Sequence, residues 1–138
     1  MSKLRPVSDL KVVTFTIPNG QTTQGATGST DALPFIDLTN YVLVGVEFPA
    51  TITGTGLTLQ VSNDTGVYNT YGDLATAPTT YVAVYQGSGV VTITKQNSSL
   101  VLVDTTFETL TGVGKYLQFV SQASEGAKRT FKAYLVPR

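Results

Sequence analysis

The sequence predicts an all-β fold, an antiparallel β-sandwich of jelly-roll-like form, and three observations predict it. Its apolar runs are rich in β-branched and aromatic residues, and threonine is the commonest residue of the 138. No helical apolar period persists for three turns anywhere along the chain. Short runs of alternating polarity recur instead at roughly 8–12-residue spacing, punctuated by Gly and Pro, the pattern of a sandwich or barrel. A closed barrel reads almost the same and stands as the alternative.

The first strand falls at 10–17, Leu-Lys-Val-Val-Thr-Phe-Thr-Ile. A second covers 41–48 and stops at Pro49, which has no N–H to give a ladder. The cleanest alternation lies at 57–62: Leu57, Leu59 and Val61 are expected inward, and Thr58, Gln60 and Ser62 outward. Asn63-Asp-Thr-Gly66 then supplies turn residues. Further runs follow at 79–85, 90–95, 99–103, 115–121 and 129–136, with Gly87-Ser-Gly89 as a hairpin turn between two of them. In the last two runs Leu117 and Phe119 pair with Phe131, Ala133 and Leu135 as inward sets. The stretch 18–34 has no strand character and reads as a long surface loop, or as an arm that orders against a neighbour. No internal repeat or linker divides the chain, so residues 1–9 form an N-terminal arm and 10–138 a single sandwich domain.

Composition excludes most chemistry. The chain has no His, Cys or Trp, only 13% charged residues and a formal net charge of zero. Without His or Cys, the usual acid–base, thiol and zinc toolkits are missing, and a Ser–His–Asp arrangement is impossible. Phosphate-binding loops are absent, and no basic field exists to hold nucleic acid. No cofactor or metal is expected. Asn63-Asp-Thr-Gly66 has a calcium-like composition but lacks the spacing of a calcium loop. No run approaches the roughly twenty apolar residues of a membrane helix, and no membrane partner is expected. Of the nine carboxylates, most lie in turns, where Asp bonds locally; Glu47, inside an apolar strand, reads as an edge or outward charge. The acceptor patterns at Asn63 and Asn97 carry no meaning without a secretory route.

Two groups of residues are candidates for an interface. Tyr81 and Tyr85 fall on one face of a strand with Val82 and Val84 on the other, and Tyr68 and Tyr71 lie nearby. Such a row can anchor a protein, stack on surface glycans, or simply join the core. Leu4, Arg5, Pro6 and Val7 of the arm can dock on a neighbour. A sparsely charged, neutral chain is also poorly protected against self-association, which favours life inside an assembly.

From Tyr41 onward the chain resembles small β-sandwich virion proteins of tailed bacteriophages, of the head decoration or cement type. The phrase Leu43-Val-Gly-Val-Glu-Phe-Pro-Ala-Thr-Ile-Thr-Gly-Thr-Gly-Leu-Thr-Leu-Gln-Val-Ser62 carries the resemblance: a strand ending in Pro, a threonine-rich turn, then an alternating strand. Gly114–Ser121 resembles the penultimate strand of that group and Ala127–Arg138 its closing strand; residues 72–89 and 1–9 depart from it. The resemblance implies a capsid protein or cement protein on the outer head surface of a virion, partnered by the major capsid protein or another virion protein. It also implies a homo-oligomer, with a homotrimer favoured by local threefold symmetry. A tail, fibre or head–tail joining component, or a carbohydrate-binding module, are the other structural roles such a chain can fill.

Overall fold

A computed structural model describes residues 10–25, 34–63, 67–68, 74–76, 80–103 and 115–138. The first sheet is built from β1 (Lys11–Ile17), β3 (Tyr41–Glu47), β11 (Leu100–Leu102) and β13 (Arg129–Pro137), in the order β1-β13-β3-β11. The second takes β2 (Ile36–Asp37), β4 (Gly56–Ser62), β10 (Thr92–Thr94) and β12 (Tyr116–Ser121), in the order β10-β4-β12-β2, with β7 (Val82–Ala83) also on β4. Among the described residues two further short pairs occur: β5 (Val67–Tyr68) with β6 (Leu74–Thr76), and the hairpin of β8 (Tyr85–Gln86) with β9 (Gly89–Val90). All the pairings are antiparallel and the sheets do not close, so the fold is a β-sandwich and not a barrel.

The period-two reading of the long strands accounts for the core. Phe15 and Ile17, Leu57 and Leu59, Leu117 and Phe119, and Phe131, Ala133 and Leu135 all turn inward and are buried. Phe15 is the central contact: its ring stacks on Phe119 of the opposite sheet at 4.5 Å and on Phe131 of its own sheet at 5.0 Å. Offset stacking of this kind adds directional preference to plain burial, so it fixes how the two sheets sit face to face.

Three expectations need correction. Ser62 is buried, because it lies opposite Tyr116 at the covered end of β4. The run 79–85 is not one strand. Val84 donates its N–H to Leu59, and the chain then leaves the sheet as the β8–β9 hairpin before β10 resumes on β4. Gly87 makes that reversal at φ 64°, the left-handed conformation that a two-residue turn with Gly first requires. The loop 18–34 is not bare at its start. Thr23 bridges to Val120 and Gly25 to Thr16, with Gln24 N–H donating to Phe119 and Ser121 N–H to Thr22, so 22–25 straps one sheet to the other. Of the two placements expected for Glu47, the outward one holds, since β3 lies inside its sheet between β13 and β11.

Candidate interaction surface

The outer face of the β1-β13-β3-β11 sheet carries two parallel rows of side chains that cross all four strands. Strand pairing sets them: Val12 lies opposite Tyr134, Tyr134 opposite Gly45, and Gly45 opposite Leu102. The next row runs Thr14, Lys132, Glu47, Leu100. Alternation forces these residues outward, since Phe15, Phe131, Ala133 and Val46 between them fill the core. A β-bulge sharpens the arrangement. Tyr134 faces Gly45 but Leu135 faces Leu43, so Val44 is the extra residue on β3 and the strand bends there. Gly45 sits at this bend because a Cβ there would come within 3.1 Å of Leu100 Cδ1 and 3.3 Å of the Val101 carbonyl oxygen. Its bare backbone lets Leu100 and Leu102 lie across the sheet.

The result is an apolar row ending in strongly exposed residues, with Val12 46% and Leu102 76% accessible. The neighbouring row is polar and self-neutralising at Thr14, Lys132 and Glu47 and ends in the exposed Leu100. The Tyr134 hydroxyl donates to Glu47 Oε1 at 2.8 Å, and Lys132 Nζ lies 3.9 Å from Glu47 Oε2. The hydrogen bond to Glu47, with burial and the carboxylate's charge adding to it, raises the Tyr134 phenol pKa. The phenol therefore stays neutral and acts as a donor. Chemically the face offers apolar contact area beside a neutral donor and an internally paired carboxylate, which suits recognition of another surface. Among the described residues no three Asp or Glu side chains gather to hold a metal ion.

Of the residues singled out from sequence, Tyr81 and Tyr85 are the two whose side chains are described, and they have different surroundings. Tyr85 is 61% exposed on β8 opposite Val90, whereas Tyr81 is half-buried ahead of β7. The break at Val84 separates them, and Val82 is exposed while Val84 packs on the core, so the flat two-tyrosine row does not form. Tyr68 contributes its backbone to β5; its side chain, Tyr71, and Leu4, Arg5, Pro6 and Val7 lie outside the described residues.

Sequence reasoning missed the most organised charged group. Glu125, placed among turn carboxylates, is 1% exposed in the loop between β12 and β13. Its Oε1 accepts the Thr53 N–H at 2.7 Å and Arg129 Nε at 2.9 Å, and its Oε2 accepts the Ser121 hydroxyl at 2.6 Å and the Gly54 N–H at 3.3 Å. Burial alone would raise its pKa; the donors from Ser121, Thr53, Arg129 and Gly54 outweigh that and hold it at about 2. Its own backbone closes the cluster, with N–H to Gln21 and carbonyl to the Gly20 N–H. All of its acceptor capacity is spent on the fold. Glu125 is a pin between three loops and has nothing left with which to meet a substrate. The only local hint was its position four residues before Arg129.

Two open clefts mark where the sheet edges diverge. One of about 310 Å³ lies between β10 and β11, lined by Ile93, Gln96, Val101 and Leu102 among others. A smaller one, about 170 Å³, lies between β1 and β2, with Val13, Phe35 and Asp37 on its walls. No family model matches the chain, and neither a curated protein nor a solved structure matches it.

Proposed function

We propose that this chain is a non-enzymatic virion structural protein of a tailed bacteriophage, a decoration protein that attaches to the outside of the head shell and stabilises it. The observation that carries the reading is the apolar row Val12–Tyr134–Gly45–Leu102 on an otherwise paired and neutral sheet face. An exposed apolar row with a polar flank is what a docking surface needs, and a small decoration protein multiplies weak contacts by copy number. The phage-like phrases at 43–62, 114–121 and 127–138 supply the class of partner, the shell protein. The sandwich gives a rigid platform for such a face, in keeping with a role that requires no chemistry.

Co-sedimentation tests the proposal. Purified protein is mixed with heads assembled from the shell protein of the same phage, and saturable binding with many copies per particle is expected. Binding at only a few copies would assign it to the tail or to the head–tail junction. No binding to any part of the particle would remove the virion reading altogether.

A further inference from the structure

We propose that copies of this protein join edge to edge, with β11 of one copy pairing antiparallel to β1 of the next, so that the four-stranded sheet runs on between molecules. Three independent properties of the two edges point to it.

The first is exposure. Among the described residues the β1 edge is covered only where Gly25 bridges Thr16, and the two edges of the sheet carry Leu10 and Val12 on one side and Leu100 and Leu102 on the other, all four exposed large hydrophobics. Edges of this kind are normally guarded by charge or proline. Among the described residues β11 has no such guard and β1 has a single cation. The Leu-Val-Leu of β11 has no charge, and the one cation of β1, Lys11, sits 4.7 Å over the Tyr41 ring. The zero net charge of the chain does not oppose contact between copies.

The second is hydrogen-bond phase. The Thr16 carbonyl accepts the Gly25 N–H, so Thr16 points its backbone away from β13. Because backbone groups alternate sides along a strand paired without a bulge, Val12 and Thr14 point theirs off the same edge. On β11, Ser99 and Val103 bond to Phe48 and Val44 of the β3 side. Leu100 and Leu102 therefore point outward. Bringing Val12 opposite Leu102 and Thr14 opposite Leu100 satisfies both residues of each pair by mutual N–H to carbonyl bonds.

The third is direction and continuity. The strands alternate along the order β1-β13-β3-β11, so β1 of a second copy placed beside β11 with the same face outward arrives antiparallel without any adjustment. In that register the apolar row continues from Leu102 onto the next copy's Val12. On the inner side, the half-buried Val101 and Val13 come to lie side by side and lose their remaining exposure. An isologous pairing of β11 with itself would leave Leu10 and Val12 uncovered. The head-to-tail contact uses both edges.

A contact between two different edges propagates from copy to copy, closing into a ring of three or more where the rotation closes and running on as an open filament where it does not. This is compatible with the threefold assembly that the phage resemblance implies, but the inference stands apart from the virion reading and can fail or hold without it.

Light scattering coupled to size exclusion, with Val12→Lys and Leu102→Lys variants, tests the contact. Both positions are exposed, so each variant is expected to melt within a few degrees of the parent, which a thermal scan verifies. The parent should elute as a ring or filament of three or more copies, and each variant alone as a monomer. An equimolar mixture of the two variants should form a one-to-one dimer, because one supplies an intact β1 edge and the other an intact β11 edge. A monomeric parent at its solubility limit overturns the proposal. A Val12→Lys variant that still dimerises also overturns it, since that outcome assigns the contact to β11 pairing with itself. A mixture that stays monomeric overturns it as well.

Discussion

Glu47 ends β3 and Glu125 lies in the loop that leads into β13 of the same sheet, and the two glutamates have opposite fates. Glu125 is closed off from water and receives two backbone N–H groups, a hydroxyl and a guanidinium. Glu47 stands on the outer face with one phenol donor and a lysine at 3.9 Å, both of them partly in solvent. Where charge is enclosed, each neighbour is committed and the site can only hold the fold together. Where it is exposed, the pairs are loose and the adjoining apolar row is left available. The molecule thus separates a sealed cluster that maintains the structure from an open face that can meet a partner.

The comparison breaks most visibly at Glu125. Replacing it with alanine strands the Ser121 hydroxyl, two N–H groups and Arg129, and is expected to cost about 3–5 kcal/mol, the range for breaking a buried ion pair. Urea unfolding measures this, and a loss under about 1 kcal/mol would mean that the cluster behaves like an exposed pair. The pH dependence gives the same answer by another route. Because the folded carboxyl sits at about 2 and its ordinary value is 4.5, its contribution is complete above about pH 5. It is lost as the pH falls towards 2. The difference in stability between the parent and Glu125→Ala should therefore shrink over that window, and a difference that stays constant would contradict the assignment.

Gln24 tests the sealed side on a smaller scale. Its Oε1 accepts the Phe119 N–H at 3.1 Å, deep in the strap between the sheets. Gln24→Ala leaves that donor buried and unsatisfied, for an expected loss of about 1–3 kcal/mol in the same urea assay. A change below this range would show that the strap repacks.

The smallest effect belongs to the open face. Glu47→Gln is expected to change stability by less than about 1 kcal/mol, since exposed pairs contribute little. It should nonetheless return the Tyr134 phenol to a lower pKa, because the charged acceptor that raises it is gone. Ultraviolet titration of the parent and the variant, each corrected by its Tyr134→Phe counterpart, reads that shift. An unchanged titration would show that the two side chains are not coupled in solution.

The sequence exposed the long strands and hid the sites, for physical reasons. Leu57, Leu59 and Val61 alternate with polar residues, so period two shows both the strand and its inner face. In Leu100-Val101-Leu102 every residue is apolar, so nothing local shows that the two leucines face out and the valine in. The break at Val84 was equally hidden, because 81–85 alternates well enough to pass for an uninterrupted strand. Glu125 sits in Ala-Ser-Glu-Gly, a turn by composition; its partners Thr53 and Gly54 are some seventy residues away in the chain, and no window along the sequence contains both. What local chemistry dictates was legible. What depends on distant segments meeting was not.

The β8–β9 hairpin also makes the protein a natural carrier. On β4, Ala83 pairs with Gln60, Val84 donates to Leu59, and Thr92 then pairs with Thr58, so the edge strand resumes in the step where it left off. Everything between Val84 and Thr92 is an excursion spliced into an unbroken ladder. Its tip at Gly87 and Ser88 is exposed, and an added Cβ at Gly87 would meet nothing within 4 Å, although its positive φ keeps glycine preferred there. A foreign peptide inserted between Gly87 and Gly89 would begin and end at neighbouring points and leave the register of both sheets untouched.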